Sequence, residues 1–200
     1  MSEILQSSAA VSASCDVFRA VRETDCNLAV WERHVPGKFT GLLSSDPKDI
    51  RFNAPLLHLR EHLEKCLDDA GYIDQFERDE LAADILMLAE RYCGILKLTE
   101  LEVRLEIVTT NSCRKWHADF VEARLITTYA GSGTQWLTHA DAARVKNGTE
   151  PLRINAMSAG DVGIFKGKLG TNSPVIHRSP PIDGTGEKRL LLVLNPLEDG

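Results

Sequence analysis

The chain has 200 residues and a formal net charge of −6, with 43% hydrophobic and 26% charged residues, which fits one soluble domain with a sizeable core and excludes a disordered chain. The acidic balance excludes a broad basic face, so no nucleic acid is expected as a partner. No apolar run reaches the roughly 18 residues that would span a bilayer, so no membrane is expected either.

The N-terminus MSEILQSSAAVSAS lacks the basic start and apolar centre of a secretory signal, which points to the cytoplasm. Its small polar residues predict a disordered segment over residues 1–14, with a single domain over 15–200 and order beginning near Asp16. Five cysteines, Cys15, Cys26, Cys66, Cys93 and Cys113, show no Cys-x-x-Cys spacing and read as reduced thiols.

CNLAVWERHVP supplies a first strand before a Gly-, Ser- and Asp-rich connector. Leu56, Leu59, Leu63, Leu67 and Ala70 recur at helical spacing, with Pro55 in the first turn, Asn53 as the cap and Gly71 as the stop. A second helix starts near Asp74, carries Phe76, Leu81, Ile85, Leu88 and Tyr92 on a broad apolar side, and stops at Gly94. The helical part therefore covers about residues 53–96.

From Leu101 the period falls to two, as Leu101, Val103, Leu105 and Ile107 alternate with Glu102, Arg104 and Glu106. Everything from about 100 to 196 reads as β, with short strands at CRKWHAD, ARLITTYA, TQWL, LRINAM, DVGIFKG, SPVIHR and RLLLVLN. So many short strands after a helical half predict an α+β fold, a barrel or sandwich with the helices packed on one outer face.

In a strand through Trp116-His117-Ala118-Asp119, His117 and Asp119 share a face with Cα atoms about 6–7 Å apart. His177, in the apolar strand Pro174-Val175-Ile176-His177, returns about sixty residues later. Two imidazoles and one carboxylate make a metal site that leaves positions open for reactants, as in non-haem Fe(II) oxygenases; iron, zinc and manganese all suit these donors. Such sites commonly use a keto acid, whose far carboxylate needs a fixed cation. Arg189 is favoured over Lys188, because a guanidinium matches a carboxylate and alternation turns Lys188 to the other face.

Three other patterns are set aside. His58-Leu59-Arg60-Glu61-His62 matches an inverted zinc-protease motif, but both histidines lie on the polar side of the predicted helix. Gly131-Ser132-Gly133-Thr134 lacks the lysine and helix of a phosphate loop and reads as a hairpin turn. Cys113 lies about 13 Å along a strand from His117, too far to share its ion. Trp116 and Trp136 read as packing residues.

The ordered set His117-x-Asp119, Arg124 to Tyr129, Gly131-Ser132-Gly133-Thr134, Ala159-Gly160-Asp161 with Phe165, His177-Arg178-Ser179-Pro180-Pro181 and Arg189 resembles the 2-oxoglutarate/Fe(II) dioxygenase superfamily, in a layout similar to its prolyl-hydroxylase branch. More narrowly, HADFVEARLITTYAGSGTQWL and HRSPP resemble a bacterial family termed domain of unknown function 1826. The superfamily resemblance implies a double-stranded β-helix, Fe(II) on His117, Asp119 and His177, and 2-oxoglutarate as co-substrate held by Arg189 with Thr134 and Tyr129. The activity implied is an oxygenase acting on an unidentified small molecule or protein. The alternative is a zinc- or iron-binding protein of metal homeostasis that uses the same three ligands without a keto acid. The narrower resemblance implies a link to metal-handling GTPases.

Overall fold

The computed structural model describes residues 9–33 and 39–197. The strands are β1 (Ala9–Ser12), β2 (Leu28–Trp31), β3 (Ile50–Pro55), β4 (Glu100–Val108), β5 (Ala123–Ala130), β6 (Gln135–Trp136), β7 (Asn155–Ala156), β8 (Val162–Lys166), β9 (His177–Arg178) and β10 (Arg189–Asn195). The helices are α1 (Leu59–Asp69), α2 (Gln75–Leu96) and α3 (His139–Lys146). Seven strands form one sheet in the order β1-β2-β8-β5-β10-β4-β3, antiparallel except for the β1–β2 pair, and β7-β6-β9 form a second, antiparallel sheet. The fold is thus α+β around a large antiparallel sheet, and neither sheet closes on itself among the described residues.

Alternation along the strands gives the large sheet two different faces. On one, Leu101, Val103 and Leu105 of β4, Leu125 of β5 and Leu190, Leu192 and Leu194 of β10 join Leu59, Leu63 and Leu67 of α1 and Leu81, Ile85, Leu88 and Tyr92 of α2 in the main core. Each such leucine, removed from water, stabilises the fold by about 1.5–3 kcal/mol. The Tyr92 hydroxyl donates to the Ala123 carbonyl at 2.8 Å and so ties α2 to the start of β5. On the other face Leu28, Val30, Ile126, Phe165, Leu191 and Val193 form a smaller cluster with Met157 and Val175, and Trp136 of β6 packs against it. The second sheet and its flanking loops therefore lie over that face.

Several expected boundaries move. Residues 9–12, within the segment expected to be disordered, pair as β1 with β2, while residues 1–8 lie outside the described residues, as does the end of the first expected strand. Asn53 is not a helix cap: it lies inside β3 opposite Glu102, and the helical path begins at Leu56 as a 3-10 turn. The β register overrides Pro55, which sits at the end of this edge strand, where a proline costs no ladder bond. Gly94 does not stop α2, which continues to Leu96 and ends at left-handed Lys97, and Phe76 is exposed rather than packed. Asp74 does cap α2, accepting from the Glu77 amide.

The second half is not wholly β. Thr138 caps α3 by accepting from the Asp141 amide, a Ser/Thr-x-x-Asp/Glu start that was present in the sequence. CRKWHAD is a loop with left-handed Cys113 and a single bridge at His117 rather than a strand. Gly131 to Thr134 carry the chain from the large sheet to the small one, so this is a crossover and not a hairpin. All five cysteines are free. No helix among the described residues is long and apolar enough to cross a membrane.

Candidate metal centre

His117 and His177 are brought together by a reciprocal backbone pair: the His117 amide donates to the His177 carbonyl at 3.0 Å, and the His177 amide donates to that of His117 at 2.9 Å. Asp119 follows on a segment stitched to the end of β8, where the amides of Gly167, Lys168 and Leu169 donate to the carbonyls of Glu122, Asp119 and Val121. Gly167 makes this approach possible, since a Cβ there would lie 2.2 Å from the Val121 carbonyl oxygen and 2.8 Å from that of Asp119. Strand alternation is therefore not what aims Asp119; loop-to-strand hydrogen bonding does.

The three donor groups have ligand atoms all within 4.8 Å of one another, and they are the only group of three or more potential ligand residues this close among the described residues. His177 Nε2 stands 3.2 Å from Asp119 Oδ2, and His117 Nε2 stands 3.6 Å from Asp119 Oδ1. Donors that share one ion at about 2.1 Å stand about 3 Å apart in neighbouring positions, so the spacing fits a single cation.

The hydrogen bonding also fits. Each histidine turns Nδ1 to a backbone carbonyl, that of Lys115 at 2.8 Å for His117 and that of Val175 at 3.1 Å for His177. A carbonyl only accepts, so Nδ1 carries the hydrogen and a neutral ring presents its Nε2 lone pair to the carboxylate. Lone pair against lone pair is repulsive unless a cation or a proton lies between them. Asp119 Oδ2 is buried and has no conventional hydrogen-bond partner, which a metal ion would supply.

Electrostatics keep Asp119 charged. Burial opposes its ionised form, but contact with the His117 and His177 rings and the nearby Arg124 guanidinium outweigh burial and hold the carboxyl far below the usual carboxylate range. The same contact with Asp119 raises the His117 pKa against the opposing effect of burial. Arg124 Nη1 lies 2.7 Å from Asp119 Oδ1, and Arg124 Nε donates to Asn195 Oδ1 at 2.6 Å. Oδ1 thus holds the guanidinium and also faces His117, while Oδ2 is left toward His177.

Arg189 lies fully buried on the same face. It donates to the Ser132 carbonyl at 2.6 Å, the Ser179 hydroxyl at 2.9 Å and the Thr128 hydroxyl at 3.3 Å. No carboxylate lies within ion-pair distance of it among the described residues, and burial pushes its pKa down. Ser179 is two residues beyond His177, so the cation and the donor set are held by one short segment.

One expected residue faces away from the site, and another has a structural contact of its own. Tyr129 faces the helices, donating to Asp84 Oδ2 at 2.7 Å and packing on Phe39, so its hydroxyl cannot reach the ligand set through the sheet. Thr134 is buried at the crossover, where its carbonyl accepts from the Met157 amide. His58 and His62 are both exposed, His58 precedes α1, and the His62 ring meets the His58 carbonyl rather than its ring. Trp116 stacks under the Arg178 guanidinium at 4.1 Å. Arg124 and Asn195 were missed as site residues. The alternation of Arg124, Ile126 and Thr128 in ARLITTYA, and of Arg189 and Asn195 in the last strand, was the available signal.

A search of the curated proteins finds no match. Among solved structures, the chain is similar to dioxygenase for auxin oxidation 1 from Arabidopsis thaliana, solved as its 2-oxoglutarate binary complex, with a TM-score of 0.54, 9% identity and coverage of 96% of this chain and 92% of that one. The dioxygenase for auxin oxidation of rice follows with a TM-score of 0.50, 11% identity and coverage of 94% and 82%. At these identities the likeness is one of fold. The family model described as Protein of unknown function (DUF1826) matches residues 12–195, nearly the whole chain, and the protein belongs to that family.

Proposed function

We propose that this protein is an Fe(II)- and 2-oxoglutarate-dependent oxygenase, with His117, Asp119 and His177 as the metal ligands and Arg189 as the partner of the keto acid's far carboxylate. The two sheets are read as an open form of the double-stranded β-helix. When bound, iron and 2-oxoglutarate would supply, with dioxygen as the oxidant, oxidative decarboxylation to succinate and carbon dioxide coupled to two-electron oxidation of a substrate.

The observation that carries the reading is Arg189. A buried guanidinium with only neutral acceptors costs several kcal/mol, and a carboxylate co-substrate would offset that cost. The chain's own residues fix the rest. Lys115 and Val175 carbonyls set the ring tautomers that leave each Nε2 free to ligate. Phe165, 4.9 Å from the His177 ring, and the apolar cluster beneath it limit water at the site.

The test is succinate release by the purified protein with Fe(II) and 2-oxoglutarate, run beside Asp119→Ala. Turnover without added substrate, lost in the variant, supports the oxygenase. Retained metal binding with no succinate at any keto-acid concentration would instead leave the metal-homeostasis reading.

A further inference from the structure

The second sheet covers only part of the inner face of the large one. Over β2, β8 and β5 that face is apolar and packed under Trp136, Met157 and Val175. Over β3 and the part of β4 before Val108 the same face carries Glu102 and Arg104 opposite Asn53 and Arg51, with Glu106 beyond them, and no strand of the small sheet pairs there. A cavity of about 370 Å³ occupies the uncovered part, lined by Arg51, Asn53, Glu102, Arg104, Arg124 and Asn195, with Val121, Pro196 and Leu197 as an apolar side. Its volume is in the range of small-molecule sites.

Arg124 joins this cavity to the metal centre, because the guanidinium that lines it is the one held 2.7 Å from Asp119. From there hydrogen bonds run across four strands: Arg124 to Asn195 at 2.6 Å, Asn195 to Glu102 at 2.6 Å, and Arg51 to Glu102 at 2.6 Å. Asn195 is buried and fully engaged, so the part of the row from Arg124 through Asn195 to Glu102 is a built structure, while Arg51 at its end is largely exposed at the cavity's rim.

Each guanidinium in the lining has one carboxylate contact: Arg51 with Glu102, which also lines the cavity, and Arg104 with Glu106 and Arg124 with Asp119, both of which stand outside it. Each arginine also keeps a terminal nitrogen with no acceptor among the described residues: both in Arg51, Nη1 in Arg104 and Nη2 in Arg124. Guanidinium nitrogens in this state suit a carboxylate.

We propose that this cavity is the substrate site, and that it takes a small monocarboxylic acid whose carboxylate meets Arg51 and Arg104 and whose apolar body lies along Val121, Pro196 and Leu197. The proposal rests on the oxygenase reading for what happens to that acid, but binding itself does not.

The experiment is ligand-observed NMR on the purified protein with monocarboxylates from acetate to phenylacetate, each beside its neutral amide. It is run first with EDTA and then with Mn(II) in place of iron. Expected are millimolar or tighter binding of phenylacetate, at least tenfold weaker binding of phenylacetamide, and a tenfold or greater loss in Arg51→Gln/Arg104→Gln. Arg104→Lys, which keeps the charge, retains part of the binding, and circular dichroism with a thermal melt verifies that each variant folds. Equal binding of acid and amide, unchanged binding in a folded double variant, or no binding by any acid overturns the proposal. Mn(II) should broaden the phenylacetate lines in the wild type and not in Asp119→Ala. Acid binding without that broadening overturns the cavity's role as substrate site, while failure of Mn(II) to bind at all removes the oxygenase reading and leaves the carboxylate site standing.

Discussion

The two faces of the seven-stranded sheet come from the same residues taken alternately, yet they do opposite things. In β10, Leu190, Leu192 and Leu194 enter the helix-covered core, while Arg189 and Asn195 lie on the other face with Leu191 and Val193. In β4, Leu101, Val103 and Leu105 are buried in that core, and Glu102, Arg104 and Glu106 face the cavity side. One face holds the molecule together by area removed from water. The other joins a smaller apolar cluster to buried polar and charged groups, Arg189 among neutral acceptors and Asp119 beside Arg124, whose burial costs stability.

Substitutions on each face break this contrast in different ways. Asp119→Ala has the largest expected effect: it abolishes tight metal binding and succinate release, measured by metal analysis and the succinate assay, with some loss of thermal stability because the buried Arg124 guanidinium loses its carboxylate. A variant that still binds one equivalent of Fe(II) tightly would remove Asp119 from the site. Leu192→Ala on the core face does the reverse, lowering stability by about 2–5 kcal/mol in urea denaturation while metal affinity is retained in the folded protein.

Arg189→Met separates the faces further. It is expected to weaken 2-oxoglutarate binding about 100-fold by calorimetry and yet to leave the melting temperature equal or higher, since a buried cation without a carboxylate is replaced by an apolar chain of similar length. A marked fall in stability with unchanged affinity would make Arg189 structural. Thr138→Ala, away from both faces, removes the α3 cap for about 1 kcal/mol in the same denaturation measurement. Smallest is a chemical contrast: in the native protein Cys113, exposed, alkylates readily at neutral pH, whereas buried Cys93, its thiol pushed up to about 11, resists until unfolding.

Much of this was legible where a pattern is periodic. The alternation from Leu101 and the strands ARLITTYA and RLLLVLN correspond closely to β4, β5 and β10, and the leucine spacing located α1 and α2. The donor set was legible only within an ordered series, because a His-x-Asp pair alone is common by chance and gained weight from the Gly-rich turn, the apolar strand around His177 and the late arginine. What failed was local and competitive. Asn53 and Pro55 look like a helix start but are held in β3 by six residue pairs with β4, and Gly94 is tolerated in a long helix whose neighbours are packed. Tyr129 shares a strand with Thr128 but lies on the opposite face, where Asp84 of α2 takes its hydroxyl.

By itself the sequence determined which residues can ligate, which strands are amphipathic and that one arginine opens the final strand, because those properties depend on side-chain chemistry and on period along the chain. Only the tertiary structure decided that His117 meets His177 through paired backbone amides, that Gly167 lets the Asp119 segment approach β8, and that Arg124 joins the carboxylate to a second cavity. Those facts depend on contacts between segments tens of residues apart. No local pattern encodes such a contact, because its free energy exists only once both segments have been brought to the same place.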